Sequence, residues 1–293
     1  MDSILIAGAS GFLGRNLVPL LLKKNINLIL FTTGNSNFNF KSLASKKNII
    51  VANKRNIKKI INNNKISTFL NLQVSFSYFH NIDSLREMLE ANISVPMELA
   101  ELCSEKKCFK RLITATTFHV YSKGSDKFCP ANVFSGTKES FSVLAESLAI
   151  NKNFLFDEVV VYDTFGEGDN RKKIVSIINN AIDNNQTLKL SPGKQVIDLS
   201  HITNIAEGFL KLIFYKNKTR SKIKKQYFAS SGNRIKLQEL AKIIEEIKMK
   251  KLKAKWGAFD YRKGEVLNPI MPKKGTNICK KDNLRKRLSK FLI

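Results

Sequence analysis

The stretch Ile4-Leu5-Ile6-Ala7-Gly8-Ala9-Ser10-Gly11-Phe12-Leu13-Gly14-Arg15 decides the fold of this chain. Its four apolar residues make a short buried parallel strand, three glycines follow, and Asn16-Leu17-Val18-Pro19-Leu20-Leu21-Leu22 carries the apolar recurrence of a helix. A strand that turns through glycines into a helix N-terminus is an anion cradle. Missing side chains let the backbone approach a diphosphate, and the helix dipole stabilises its charge. The same glycines would also serve a tight turn that holds no ligand, but the strand-before, helix-after context favours the cradle. Gly8, Ser10, Gly11, Phe12, Leu13, Gly14 and Arg15 are expected to line it.

Bulk properties narrow the classes. A chain of 293 residues can bury one large core with a subsidiary lobe, and 43% hydrophobic residues with 20 Phe fit a globular enzyme. No apolar run approaches the ~20 residues of a membrane span. Met1-Asp2-Ser3 lacks the basic start of a secretory leader, so the cytoplasm is the expected compartment. Cys103, Cys108, Cys129 and Cys279 show no C-x-x-C pairing and no histidines at ligand spacing, which predicts reduced thiols, no disulfide framework and no metal site. The formal charge is +26, from 50 Lys and Arg against 24 Asp and Glu. The lysines are scattered rather than interleaved with aromatics, so nucleic acid is not the expected partner; a positive field also attracts an anionic small molecule.

Gly8, Gly11 and Gly14 read G-x-x-G-x-x-G rather than G-x-G-x-x-G. With Ala9-Ser10 and Phe12-Leu13 between them, the stretch resembles the extended short-chain dehydrogenase/reductase family of nucleotide-sugar epimerases, dehydratases and reductases. That resemblance implies an α/β fold: a Rossmann-type doubly wound parallel sheet with a small mixed C-terminal substrate lobe. We expect a dinucleotide-binding domain over residues 1–163 and the smaller lobe over 164–293, with the chain free to cross back.

Asn27 to Phe31 reads as the second strand, and its end bears on the cofactor. A carboxylate there would bind the adenosine ribose of NAD, whereas Thr32-Thr33-Gly34-Asn35-Ser36 has none, and Arg15 and Lys41 supply positive charge. NADP is therefore preferred over NAD, with Thr33 at its ribose; Arg15 as an exposed first-turn residue is the plainer alternative. After the third strand, Ile49 to Val51, Asn53 stands where the family has an aspartate beside adenine. Thr68 to Leu72 is the fourth strand, and Leu72-Gln73 begins the turn that lies beneath the nicotinamide ribose in relatives. A helix is expected from Ser84 to Cys103, with Asn92 in a structural role.

Arg111 to Thr117 is the fifth strand and runs into Phe118-His119-Val120-Tyr121, which resembles the family's S-S-S-x-x-V-Y-G stretch. Carried over, Thr117 holds the substrate oxygen, with Thr116 beside it. The family's Y-x-x-x-K motif follows as Phe134-Ser135-Gly136-Thr137-Lys138, opening a helix over Glu139 to Ile150. Lys138 is present, to lower the pKa of the family's tyrosine and fix the nicotinamide ribose. The tyrosine is Phe134, which cannot donate the proton that general acid catalysis requires. Ordinary activity is lost, the chain is a Tyr-to-Phe variant, or another donor serves: Tyr121, His119, Cys129 or water.

Glu158 to Tyr162 is the sixth strand, and Asp163-Thr164-Phe165-Gly166-Glu167-Gly168-Asp169-Asn170-Arg171 resembles the family's N-x-Y-G-P-G-D-x-R. Together with Ser191-Pro192-Gly193-Lys194-Gln195-Val196-Ile197-Asp198-Leu199, it looks like the CDP-abequose and CDP-paratose synthase branch, which reduces a nucleotide-linked 4-keto-deoxyhexose with NADPH for O-antigen sugars; an epimerase or dehydratase of another nucleotide sugar, and a dinucleotide-binding protein that has lost its chemistry, are the alternatives. Asp163, Arg171, Gln195 and Asp198 are the implied substrate contacts. His201 reads as structural, with no carboxylate in view to orient it. From Lys250 the sequence reads as a basic, irregular tail. The helices over 84–103 and 138–150 pair subunits in many relatives, which makes a homodimer the expectation.

Overall fold

The computed structural model describes residues 2–33, 47–77, 81–124, 127–215 and 223–293. In chain order the strands are β1 (Ser3–Ala7), β2 (Asn27–Phe31), β3 (Ile49–Ala52), β4 (Ile66–Asn71), β5 (Arg111–Thr117), β6 (Leu155–Val161), β7 (Asp163–Phe165), β8 (Thr187–Leu190), β9 (Val196–His201), β10 (Lys224–Ala229), β11 (Arg234–Lys236) and β12 (Lys253–Trp256). The α-helices are α1 (Phe12–Leu22), α2 (Ile57–Asn63), α3 (Ile82–Leu89), α4 (Val95–Ser104), α5 (Val133–Lys152), α6 (Ile174–Asp183), α7 (Ile202–Phe214), α8 (Leu237–Lys248) and α9 (Leu284–Leu292).

The chain forms two compact units. The first takes Met1–Thr117, Val133–Val160 and Ala206–Tyr227, and the second Phe118–Asn132, Val161–Ile205 and Phe228–Ile293. The sequence reading put a boundary after residue 163 and left the chain free to cross back; the observed units interleave, because the first unit's sheet collects strands from separated segments.

That sheet has seven strands in the order β10-β6-β5-β4-β1-β2-β3. Leu5 of β1 lies opposite Ile29 of β2 and Phe69 of β4, and the defined pairs β1–β2, β1–β4, β2–β3 and β4–β5 are all parallel. Strands buried on both faces read as continuous apolar runs, as Ile4 to Ala7 does. Leu5, Phe69 and Leu112 from the sheet pack with Val95, Leu99, Phe141 and Ala145 from α4 and α5. Strand order reverses between β1 and β4, the switch point outside whose carboxyl ends ligands bind in such sheets.

Several boundaries differ from the sequence reading. Helix α1 begins at Phe12, four residues before the apolar recurrence, because Gly11 is its N-cap. Helix α5 begins at Val133, so Phe134 and Lys138 stand one turn apart on one helix. The long helix expected over 84–103 is instead α3, a π-helical segment at Glu90–Ser94, and α4. Pro96, which cannot donate an amide proton, sits at the start of α4 just past that wide turn.

The second unit holds a three-stranded sheet in the order β11-β9-β7 and the parallel pair β8–β12. Phe165, Val175, Ile178, Leu240, Ile244 and Leu288 form its core. The expected irregular tail is corrected here. In β12 exposed Lys253 and Lys255 alternate with half-buried Ala254 and Trp256, and α9 buries Leu284, Leu288 and Leu292 along one face behind an Asn283 cap. Lysine-rich composition hid two ordinary periodicities.

Candidate active site

Gly8 takes φ +84°, a backbone conformation open to glycine. A Cβ there would lie 2.5 Å from the Leu72 carbonyl carbon, and one on Gly14 would lie 2.4 Å from the Gly8 oxygen. Gly8 lets the turn close on the backbone after β4, and Gly14 lets α1 close on the turn itself. Gly11 differs: it is exposed, and a Cβ on it would meet only the Gly8 oxygen, at 3.2 Å. Its amide donates to that oxygen at 3.0 Å, and the Arg15 amide donates back to Gly11 at 2.9 Å. No side chain caps α1, and no acidic residue occupies its first turn. The helix therefore presents uncapped amide dipoles and an open glycine on one side, which fits the diphosphate of a nicotinamide dinucleotide.

Beside the cradle, Asn71 holds the crest of the sheet. Its Nδ2 donates to Thr114 Oγ1 on β5 at 3.2 Å, and its Oδ1 accepts from the Gln73 amide at 3.2 Å. The Gln73 carbonyl in turn accepts from Lys138 Nζ at 3.3 Å. Lys138 is only 4% exposed, and burial pulls its pKa down to about 8, with Glu158 opposing the shift. Gly8, Leu72, Gln73 and Lys138 are thus linked end to end along the switch point.

Thr137, which the sequence reading passed over, completes this end of α5. Its hydroxyl donates to the Phe134 carbonyl at 2.8 Å and accepts from Asn92 Nδ2 at 3.0 Å. Asn92 is fully buried in the π-helical segment and also exchanges two hydrogen bonds with the Ser75 backbone, at 2.8 and 2.9 Å. The structural role expected for Asn92 is visible in this geometry, and the π-helical turn is what aims it. Phe134 meets exposed Phe76 edge to face, centroids 5.0 Å apart. An apolar pair occupies the place where the family motif carries a phenol.

On β5, Thr116 is buried and its Oγ1 has no hydrogen-bond partner among the described residues, while Thr117 is half-buried on the opposite face. Asn53 lies at the far end of β3, where its Oδ1 accepts from the Arg55 amide at 2.9 Å in an Asx turn. Ser10, Leu13 and Arg15 are half-buried beside the cradle, Phe12 is buried, and Thr33 is exposed after β2. Lys41, with Gly34, Asn35 and Ser36, lies outside the described residues.

The remaining expected residues belong to the second unit. Tyr121 is buried and pairs with Cys129 in a short bridge. Burial lowers the pKa of His119, against which the Asp163 charge acts. The Arg171 guanidinium is engaged by both Asp169 oxygens at 2.7 Å and by Thr164 Oγ1 at 2.9 Å, locking the turn after β7. Gln195 is buried with its Oε1 unpartnered among the described residues. Asp198 is fully buried; both of its oxygens lie 2.8 Å from Ser230 Oγ, and burial raises its pKa to about 6. His201 has the carboxylate its sequence context did not show: Nε2 lies 3.1 Å from Glu167 Oε2, and Nδ1 lies 2.8 Å from Thr203 Oγ1 at the start of α7.

A family model described as the NAD dependent epimerase/dehydratase family matches residues 4–225. The chain belongs to that family. It is an NAD-dependent enzyme of the short-chain dehydrogenase/reductase type. Among curated proteins it is similar to a CDP-abequose synthase of Yersinia pseudotuberculosis, 24% identical over 267 residues that cover 91% of each chain. A second CDP-abequose synthase, from Salmonella typhimurium, is 21% identical over 91% of this chain and 88% of its own. Among solved structures, the fold matches a tyrosine-to-phenylalanine mutant of Bacillus cereus UDP-glucuronic acid 4-epimerase in complex with UDP-4-deoxy-4-fluoro-glucuronic acid and NAD. That match has TM-score 0.85 at 16% identity, and covers 99% of this chain and 98% of the other. Membership fits the cradle, the switch point and the buried lysine, while Phe134 remains the departure from the motif. Among the described residues no helix is long and apolar enough to cross a membrane, and no group of His, Cys, Asp and Glu could hold a metal.

Proposed function

We propose that the protein is an NADPH-dependent reductase of a nucleotide-linked 4-keto-deoxyhexose, of the kind that CDP-abequose synthases represent, serving surface-polysaccharide sugar biosynthesis. The observation that carries the reading is Lys138, buried and hydrogen-bonded to the strand end beside the glycine cradle. The likeness to two CDP-abequose synthases over most of the chain supports the substrate class. When bound, the nicotinamide supplies the hydride that reduces the keto carbon. Gly11 and the first turn of α1 take the diphosphate, Lys138 takes the nicotinamide ribose hydroxyls, and Thr117 donates a hydrogen bond to the keto oxygen. Thr33, Asn53, Leu72 and Gln73 complete the dinucleotide site. The absence of a carboxylate after β2 favours the 2′-phosphate of NADP over NAD.

Reduction leaves charge on the former keto oxygen, and Phe134 has no proton to give it. Tyr121, four residues after Thr117 in the chain, is the proposed donor. Thr116, Asp163, Arg171, Gln195 and Asp198 are assigned to the sugar nucleotide by family likeness; the bonds already made by Arg171 and Asp198 fit them to shaping the site more than to direct contact. Exposed Leu89 on α3 and Val143, Leu144 and Ile150 on α5 support a homodimer, which light scattering checks as twice the chain mass.

The assay is oxidation of NADPH in the presence of a CDP-linked 4-keto-3,6-dideoxyhexose. Turnover with NADPH exceeding that with NADH is expected, and Phe134→Tyr should raise it less than about tenfold because a donor already serves. A gain of ~10²–10⁴-fold would show that the natural site lacks its acid. Phe134 itself favours a second reading, a dinucleotide-binding protein without chemistry; NADPH affinity with no turnover on any 4-keto sugar nucleotide would establish it.

A further inference from the structure

Glu158 is a buried acid that the reaction above does not use. It sits on β6 at 1% exposure. Ser142 Oγ donates to its Oε1 at 2.6 Å and Gln226 Nε2 donates to its Oε2 at 3.1 Å, so both oxygens are held as acceptors. Two donors on two oxygens fix the position of the carboxylate in the interior. Ser142 lies one helical turn beyond Lys138, and both are buried on α5. Lys138 carries three N–H donors into that interior, and among the described residues its hydrogen bond is the one to the neutral Gln73 carbonyl. A buried ammonium without a counter-charge would lose its proton.

We propose that Glu158 is the positioning residue for Lys138: clamped by Ser142 and Gln226, its carboxylate is the fixed counter-charge that keeps the lysine protonated for the dinucleotide ribose. The proposal rests on the assignment of Lys138 to that ribose. The charge environment is closed by named groups. Glu139 on α5 and Lys224 on β10 feel the charge of the same carboxylate, and Lys224 pairs with Glu146, also on α5, at 3.0 Å. Asp157, next on β6, is taken by Arg111. Burial is the larger influence on Lys138, and the Glu158 charge is the one that opposes it. A residue that merely filled the α5–β6 interface would alter stability and leave the lysine's titration where it was.

The test follows Lys138 directly. The ε-carbon resonance of 13C-labelled lysine, assigned by its loss in Lys138→Met, gives the titration of the protein without ligand. NADPH affinity against pH, by fluorescence titration, gives its consequence. In the natural protein both should change with a midpoint near pH 8. Glu158→Gln keeps the shape, since the Gln226 amide can turn to present its oxygen, and should move both midpoints acidward by about one unit or more. Ser142→Ala, which frees the carboxylate on one side, should move them the same way by less, and it reports if Glu158→Gln fails to fold. Lys138→Met should bind weakly with no titration in this range. Unchanged midpoints in a folded Glu158→Gln protein, or in Ser142→Ala if the former does not fold, overturn the proposal. Absence of NADPH binding in the natural protein would overturn the ribose assignment instead, and the resonance would still report on Glu158.

Discussion

The β1–α1 crossing is built from backbone amides and an open glycine, whereas the start of α5 is built from side chains: Lys138, Thr137 and Phe134. The cradle needs no charge of its own, because helix geometry supplies the field. The α5 end works through a buried ammonium whose pKa burial has lowered, an asparagine aimed by a π-helical turn, and an aromatic pair where a proton donor would stand. The backbone-built region keeps the family pattern and the side-chain-built region departs from it. A cradle of amides tolerates any chemistry downstream, so binding and catalysis can change separately.

Substitutions on the two sides should therefore fail in different ways. The largest effect is expected for Gly8→Val, which forces a β-branched residue to φ +84° with its Cβ 2.5 Å from the Leu72 backbone. Strain of ~1–3 kcal/mol plus displacement of β4 should lower the melting temperature and abolish NADPH binding together. Retention of both would break the account of the turn. Asn92→Ala is next. It strands the Ser75 backbone and Thr137 without their partner, and should cost ~1–3 kcal/mol in chemical denaturation, with weaker NADPH binding as the loop after β4 loosens.

Lys138→Met should act in the opposite sense on stability. The lysine's folded pKa, about 8, lies below its ordinary 10.5, so holding it charged opposes folding throughout the range below pH 8. Between pH 8 and 10.5 the unfolded chain binds the extra proton, and natural stability should rise with pH across that window. The methionine variant should be more stable at pH 7, should lack that rise, and should bind NADPH more weakly, as denaturation curves and titrations at several pH values would show. A variant less stable at pH 7 would contradict the charge cost assigned to this site.

The contrast between the two regions also explains what was legible in the sequence. Gly8 and Gly14 announce their geometry because a Cβ on either would strike backbone atoms at 2.4 to 2.6 Å, and Ile4 to Ala7 announces a buried strand by being apolar throughout. Lys138 was legible through its motif, since Gly136-Thr137-Lys138-Glu139 stands in sequence as it does in the helix. Asn92 was expected in a structural role, but its partners and the distant partners of Thr137 and Glu158 lie 16 to 68 residues away in the chain, and no local pattern records a hydrogen bond formed at that distance. The π-helical turn was hidden because the apolar recurrence over 84–103 is compatible with one straight helix. Glu167 beside His201 was hidden for the same reason as the others, because the pairing is made by the fold between β7 and β9. In the C-terminal region, a high lysine content masks the alternation of β12 at Lys253 to Trp256 and the spacing of Leu284, Leu288 and Leu292 in α9.

Gly11→Glu separates the ligand's needs from those of the turn, because a side chain at this exposed position meets only the Gly8 oxygen and takes an ordinary φ of −70°. The decisive measurement is a pair of NADPH titrations, on the natural protein and on this variant, with melting temperatures recorded alongside. Saturable binding by the natural protein, falling by about 100-fold (~2.7 kcal/mol) in a variant of unchanged melting temperature, is the predicted result. No affinity in the natural protein, or equal affinity in both, would contradict a dinucleotide diphosphate lying at the head of α1.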